Sequence, residues 1–364
     1  MTGAIILTDG QLGKSYGKTA HGLITGKSRY PIYAVIDRQH SGMDAGFVTD
    51  KKTRNIPVFG SVSEAMSMLD STPTHCIIGV ATPGGAITSS LQGELALAIE
   101  HKLTIVNGLH QLVSEHPVLK PLADQHEVQI LDIRKPKPIH ALHPWKGSIA
   151  RIKTPRIAVL GTDCAIGKRT TCHLIWQMCQ ESDIRSEMIY TGQTGWLQGF
   201  KYGLILDSTL NDFVSGELEY AIVSCAEETA PELILVEGQS SLRNPSGPCG
   251  AELICSGGAK GVILQHAIGR EYFNHGEGLY YPLPSLQDEI KLINWYGAEV
   301  LAVTLNTRDL KNESWQAAKQ RVSQEIELPV IMPREEGVSE LLPIIKTYIA
   351  KQTVGCQKNE NQSN

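Results

Sequence analysis

The chain has 364 residues, more than one hydrophobic core ordinarily serves, so two domains are expected. Its composition, 41% hydrophobic and 20% charged, is that of a globular protein. A net charge of −5 with no dense Lys/Arg block argues against a nucleic-acid scaffold, whose affinity rests on neutralising phosphates.

The start, Met1-Thr-Gly-Ala-Ile-Ile-Leu7, is too short and uncharged for a signal peptide. No run approaches the ~20 apolar residues of a membrane span. A cytoplasmic protein acting on a small molecule is expected, as a homo-oligomer, with neither nucleic acid nor membrane as partner. The eight cysteines show no C-x-x-C pair, and several sit in apolar strings (Cys76, Cys179), so reduced thiols and no metal site are expected.

In the first half, Ile5–Leu7, Ile32–Ile36, His75–Val80, Leu103–Val106 and Val128–Leu131 read as short buried strands. Between them, Ser61–Leu69 and Ser89–His101 have helical spacing, which implies parallel βαβ units and a Rossmann-like domain over residues 1–150. Gly10-Gln-Leu-Gly-Lys14 has a superficial likeness to a phosphate loop but lacks its spacing, and is given no nucleotide role. The strand at 75–80 ends in Ala-Thr-Pro-Gly84-Gly85. Open α/β sheets bind ligands at the carboxyl ends of their strands, so Gly84 and Gly85 are candidates for admitting a cofactor phosphate; the alternative is a plain tight turn. Ile56-Pro-Val-Phe-Gly-Ser-Val-Ser-Glu-Ala, the Pro/Gly turn and Ile105-Val-Asn-Gly-Leu109 together resemble the CoA-binding domain of succinate–CoA ligase, over roughly residues 56–112.

Pro136, Pro138, Pro144 and Pro155 make the crossing between the halves a poor interior for regular structure, which places the boundary near residue 150. A P-loop domain with a mainly parallel sheet is then expected over 151–350. The polar residues 351–364 read as a disordered tail.

Arg156–Leu160 is an apolar strand running into Gly161-Thr162-Asp163-Cys164-Ala165-Ile166-Gly167-Lys168-Arg169-Thr170, followed by an amphipathic helix with Leu174, Ile175, Met178 and Cys179 facing inward. Backbone N–H groups in such a loop converge on phosphate oxygens, the helix N-terminus adds partial positive charge, and Lys168 reaches the phosphates. The strict pattern is not met: the glycine comes a residue early, and Arg169 stands where a Ser/Thr hydroxyl normally ligates Mg²⁺. That weakens the case for an ATPase, although the Thr170 hydroxyl could substitute.

Further candidates follow. Asp212, Gly216 and Glu219 share one helical face, where two carboxylates flanking a glycine could hold an amine or a hydrated metal, or be a solvated acidic face. Glu237 ends the strand Leu233–Val236, where such folds gather their chemistry. His266 and Arg270 close another strand at the same rim, where a guanidinium could fork onto a substrate carboxylate. Asn306-Thr-Arg-Asp309 follows a further strand and carries no assigned role.

Gly161-Thr-Asp163 with Gly167-Lys168, and Val236-Glu237-Gly238, resemble the phosphate loop and strand end of dethiobiotin synthetase. With Thr191-Gly-Gln-Thr-Gly-Trp196 and Asn211–Glu219, the whole chain resembles a two-domain family: a Rossmann-like domain followed by a dethiobiotin-synthetase-like P-loop domain. A branch of that family acts as D-glutamate N-acetyltransferase with acetyl-CoA. The resemblance implies acetyl transfer to the amine of a small acidic amino acid. Such a reaction needs a base, for which Glu237 and Asp212 are the candidates, and oxyanion donors, for which Lys168 and the loop N–H groups are; Glu219, His266 and Arg270 are the candidates for holding the substrate. The alternatives are an ATP-dependent ligase or carboxylase using ATP with Mg²⁺, and a non-catalytic nucleotide-binding protein.

Overall fold

The structure, a computed structural model, describes residues 2–274 and 280–360. The chain divides into two compact units, residues 1–137 with 192–200 and residues 138–191 with 201–364. The division thus falls at Lys137/Pro138, ahead of the expected residue 150, and the first unit takes back one short segment.

The first unit is built on a parallel six-stranded sheet, β1 (Ala4–Leu7), β2 (Ile32–Ile36), β3 (Val58–Phe59), β4 (His75–Ile78), β5 (Thr104–Asn107) and β6 (Ile130–Asp132), in the order β3-β2-β1-β4-β5-β6. This is the dinucleotide-binding order, with its direction change between β1 and β4. Apolar runs such as Ile77-Ile78 and Ile105-Val106 are buried on both faces, as crossover helices on each side require. Those helices are α1 (Lys18–Thr25), α2 (Ala45–Asp50), α3 (Val62–Met68), α4 (Ser89–Glu100) and α5 (Leu119–Gln125). Ser61 caps α3 by accepting the Glu64 N–H, while the Glu64 carboxylate accepts the Gly60 N–H, so two orphan donors are met at once. The two-residue β3 and the short helices α1 and α2 carry too few apolar residues to show a period of their own.

The second unit has its own parallel sheet: β7 (Arg156–Gly161), β8 (Ser186–Ile189), β9 (Leu233–Glu237), β10 (Gly261–Ala267), β11 (Glu299–Asn306) and β12 (Val330–Ile331), ordered β12-β11-β10-β7-β9-β8. Its helices are α6 (Lys168–Glu181), α8 (Asn211–Thr229), α9 (Ala251–Cys255), α10 (Leu286–Trp295), α11 (Trp315–Glu325) and α12 (Leu341–Glu360), while α7 (Gln193–Leu197), between β8 and α8 in the chain, belongs to the first unit. On α6, Ile175, Met178 and Cys179 are buried as expected, whereas Leu174 is only half-buried. The expected disordered tail is corrected over 351–360: Leu341, Ile345 and Tyr348 anchor α12 in the core, and no proline interrupts its continuation to Glu360. Residues 361–364 lie outside the described residues.

Two packing details matter for the site. The segment 192–200 leaves β8 of the second sheet yet packs within the first unit. There Leu197 is buried with Ala20, Leu23 and Ile24, and Arg29 stacks over Trp196 at 4.1 Å while its Nε donates to the Trp196 carbonyl at 3.0 Å. The proline-rich stretch 138–152 lies along α8. Glu217 accepts the His143 N–H at 2.9 Å, and Glu219 accepts the N–H groups of Lys146 and Ile149 at 2.7 and 2.9 Å. A methyl group on Gly216 would sit 1.9 Å from the His143 carbonyl oxygen, so only glycine allows this approach.

Candidate functional site

The central strand β7 ends at Gly161, and α6 begins seven residues later at Lys168. Ala165 and Gly167 both take left-handed backbone conformations (φ 54° and 103°), which turn the intervening loop back onto the helix. A Cβ on Gly161 would lie 2.8 Å from the Lys168 side chain, so this glycine lets the lysine fold back across the strand end. Lys168 Nζ donates to the Asp163 carbonyl at 2.6 Å and to the Ser240 carbonyl at 2.7 Å, spanning loop and β9 exit. Burial disfavours its charge and lowers its pKa to about 8, against the pull of Cys164 and Asp163.

The loop is held from outside by an Asp163-centred network. Asp163 is fully buried. Its Oδ1 accepts from the Cys164 N–H (2.6 Å) and Asn244 Nδ2 (3.0 Å), and its Oδ2 from Arg270 Nη1 (2.7 Å) and the Asn274 N–H (2.9 Å). Arg270 also donates to the Cys164 carbonyl at 2.9 Å and to Asp309 at 2.8 Å. Elsewhere Thr162 N–H donates to the Gln265 carbonyl, Asn306 Nδ2 donates to the Ile166 carbonyl at 2.6 Å, and Thr171 Oγ1 donates to Gln265 Oε1 at 2.5 Å. Every strand end around β7 therefore contributes a contact that shapes the loop.

Glu237 ends β9, one strand from the loop, and is almost fully buried. Its Oε2 accepts the Thr191 N–H at 3.1 Å. Burial raises its carboxyl to about pH 7, opposed by Arg169, the Thr191 N–H and Lys168. Arg169 is correspondingly disfavoured by burial, with Glu237 acting in its favour.

Several sequence candidates land elsewhere than expected. Arg270 does not offer a free fork to a substrate: its bonds to Asp163, Cys164 and Asp309 commit it to the loop, and they outweigh burial to raise its pKa. His266 Nδ1 meets the Thr162 hydroxyl at 3.0 Å, and burial with the Arg321 and Arg270 charges pushes it down to about 4, so it is a neutral partner of the loop. Glu219 holds the stretch 146–149 with both oxygens, and Asp212 is solvent-exposed in the first turn of α8. Among the described residues no hydrogen bond or ion pair joins either to the loop. In the first unit, Gly84 and Gly85 both have positive φ (63° and 67°). A Cβ on Gly85 would lie 2.7 Å from the His110 backbone nitrogen, so packing accounts for this glycine, while a Cβ on Gly84 would face open space.

Residues to which the sequence assigned no role of their own are Thr191, Ser240, Asn244 and Gln265. Their signal is position: Thr191 and Ser240 lie just beyond the carboxyl ends of β8 and β9, Asn244 lies in the connection that leaves β9, and Gln265 lies within β10. Asn306 and Asp309, given no role, prove to be loop and Arg270 partners.

A P-loop ordinarily binds Mg²⁺ along with its ligand's phosphates. Arg169 occupies the hydroxyl position. Thr170 lies a further ~100° around the helix and is exposed, and the Thr171 hydroxyl is given to Gln265. Among the described residues no group of three or more His, Cys, Asp or Glu is arranged to hold a metal ion. The residues do not fit an octahedral magnesium centre.

A glycine loop between the middle strand of a parallel sheet and a helix, with a buried lysine spanning it and a buried acid at the next strand end, defines a P-loop protein, here with a Rossmann-like domain before it. Residues 143–342 match the family described as a domain of unknown function (DUF1611_C), a P-loop domain, and residues 38–136 match the Rossmann-like domain DUF1611_N. The chain belongs to the DUF1611 family. A D-glutamate N-acetyltransferase of Pseudoalteromonas sp is 29% identical over 275 residues, covering 73% of this chain and 79% of the relative. One of Tritonibacter scottomollicae is 29% identical over 274 residues with the same coverage. The crystal structure of a DUF1611 family protein from Anabaena variabilis superposes with TM-score 0.84 at 27% identity, covering 96% of this chain and 100% of that one. No described helix is long and apolar enough to cross a membrane.

Proposed function

We propose that the protein is an N-acetyltransferase that moves the acetyl group of acetyl-CoA to the amine of a small acidic amino acid such as D-glutamate. The observation that carries this reading is Glu237: a buried carboxyl with a pKa of about 7, one strand from the phosphate loop. A general base works best when its pKa lies near the operating pH. The relatives named D-glutamate N-acetyltransferase supply the acceptor in this reading.

In the reaction, Glu237 takes a proton from the substrate ammonium. The freed amine nitrogen attacks the thioester carbonyl and the C–S bond breaks; of the two protons the nitrogen loses in all, one leaves with CoA as its thiol and the other passes from Glu237 to solvent. The loop between Gly161 and Lys168 binds donor phosphates, and donors there stabilise charge. Asp212 and Glu219, the other carboxylates considered, are respectively exposed and committed to backbone N–H groups, so the base falls to Glu237. The Gly84–Gly85 turn is a second proposed cradle for acetyl-CoA, and there only Gly84 has room for a ligand.

The test is to incubate purified protein with acetyl-CoA and D-glutamate, L-glutamate or D-aspartate. Free thiol and N-acetylated product are then followed together. Production of N-acetyl-D-glutamate that is lost in Glu237→Gln is expected. Absence of acetyl transfer to any acidic amino acid would overturn the reading.

A further inference from the structure

The strand order of the first unit implies a dinucleotide, whose pyrophosphate would meet the glycine turn after β1 and whose ribose would meet an acid at the end of β2. The sequence has residues at both positions: Gly10-Gln-Leu-Gly-Lys14 follows β1, and Asp37 follows β2. In the structure they are bonded to each other. Asp37 is fully buried. Its Oδ2 accepts the Leu12 N–H at 3.0 Å and lies 2.7 Å from the Thr8 hydroxyl, while its Oδ1 accepts the Gln39 N–H at 3.0 Å and lies 2.9 Å from His40 Nδ1. Burial works against its charge, but the Thr8, His40 and Leu12 contacts outweigh burial and hold the carboxyl below its ordinary range.

The loop after β1 also packs onto the exit of β2. The Thr8 N–H donates to the Ile36 carbonyl at 3.0 Å, and Leu12 is fully buried in one cluster with Ala20, Leu23, Ala45 and Val58. A Cβ on Gly10 would lie 2.9 Å from Gln39 Nε2, and one on Gly13 would lie 3.3 Å from His40 Nε2, so both glycines face protein. Helix α1 does not begin until Lys18, although β1 ends at Leu7, so no α-helix N-terminus follows the strand directly to receive a pyrophosphate.

We infer that Asp37 is a latch: it binds the chain's own β1 loop where a dinucleotide would place its ribose, so the first unit takes no NAD, NADP or FAD. A carboxylate offers about four acceptor positions, and each Asp37 oxygen already has two partners, which leaves none for a ribose diol. What stays open at this switch point is the β4 side, where a Cβ on Gly84 would meet nothing. The inference depends neither on acetyl transfer nor on the phosphate loop of the second unit.

The test titrates the whole protein with NADH and NADPH, followed by ligand fluorescence, and measures hydrogen exchange in peptides covering residues 8–14. No binding of either dinucleotide to the first unit is expected. In Asp37→Asn, exchange over residues 8–14 should quicken roughly tenfold or more, the scale of a lost hydrogen bond to a buried charge, while peptides covering residues 161–168 exchange as in wild type. Thr8→Val, which removes one donor and keeps the acid, should quicken the same peptides less, and it carries the test if Asp37→Asn does not fold. Dinucleotide binding that Lys168→Ala abolishes and Asp37→Asn keeps belongs to the phosphate loop and supports the inference. Binding of NADH or NADPH that survives Lys168→Ala would overturn it, as would exchange over residues 8–14 that neither substitution quickens.

Discussion

Arg270 donates to the buried carboxylate of Asp163 at 2.7 Å, joining the exit of β10 to the phosphate loop across 107 residues of sequence. A buried charge that loses its partner costs about 3–5 kcal/mol. Arg270→Ala should therefore destabilise the second unit by that order, read as a lower urea midpoint. Arg270→Lys should recover only part of this, because an ammonium cannot bond Asp163 and Asp309 in a fork. An Arg270→Ala protein of unchanged stability and raised KM would return this residue to substrate binding.

The loop itself was legible in the sequence because it is local: an apolar strand, glycines at 161 and 167, a lysine and a helix within some twenty residues. Its supports were not. Asn244, Arg270, Asn306 and Asp309 meet only because parallel strands bring their carboxyl ends to one rim, and no spacing records that order. Arg270 looked like a substrate ligand for the same reason that makes it a loop clamp: a guanidinium at a strand end matches any carboxylate, and the sequence could not tell Asp163 from a substrate. Glu219 was misread through its periodicity. Its face of α8 is the one facing residues 146–149, and the small residue beside it, Gly216, makes room for backbone and not for an amine. The segment 192–200 was invisible as part of the first unit, since its partners Arg29 and Gly22 lie some 170 residues away.

Lys168 should be the largest single contributor to phosphate affinity. Lys168→Ala is expected to weaken ADP or acetyl-CoA binding by about 2–3 kcal/mol, the range for a buried charge-assisted contact, with little loss of stability, since its burial already disfavours the charge. In the free protein the lysine titrates at about 8, so affinity should decline as pH rises above 8 and the cation is lost. Equal affinity at pH 7 and 9.5 would contradict that role.

Glu237 makes a prediction in the opposite direction for stability. Its folded pKa of about 7 lies above the ordinary 4.5, so the folded state holds the proton that the unfolded chain has released. Stability is then highest below about pH 4.5 as far as this group is concerned, and falls as pH rises through 7, by on the order of 3 kcal/mol. Glu237→Gln should flatten that slope in urea unfolding at a series of pH values. The rate of acetyl transfer should rise across the same range, because the deprotonated carboxylate is the base.

Gly216→Ala separates structure from chemistry. The added methyl would need to displace the His143 carbonyl from 1.9 Å, so the second unit should lose roughly 1–3 kcal/mol, the cost of overpacking. Ligand affinity, measured well below the melting temperature, should stay near wild type. A selective loss of acceptor binding without loss of stability would restore the amine-site reading of this face.

The last prediction decides between the two cradles proposed for acetyl-CoA. Gly85→Ala is a poor probe, since its methyl would press on the His110 backbone at 2.7 Å and damage the turn whatever binds there. Gly84 is the informative position. A methyl group there meets nothing in the protein, and its only intrinsic cost is the left-handed conformation at φ 63°, roughly 1 kcal/mol. If phosphates of acetyl-CoA lie against this turn, the same methyl stands between backbone and ligand, and Gly84→Ala weakens acetyl-CoA binding well beyond that cost while ADP binding at the Lys168 loop is unchanged. If the donor phosphates lie in the Lys168 loop, Gly84→Ala binds acetyl-CoA as wild type does and Lys168→Ala does not. Calorimetric titration of both variants with both ligands separates these cases, because each assigns the loss to a different substitution. The packing of Gly85 already explains one of the two glycines without a ligand, so the expected result is that the loss follows Lys168. Loss confined to Gly84→Ala would move the acyl donor to the first sheet, at the point between β1 and β4 where its strand order changes direction.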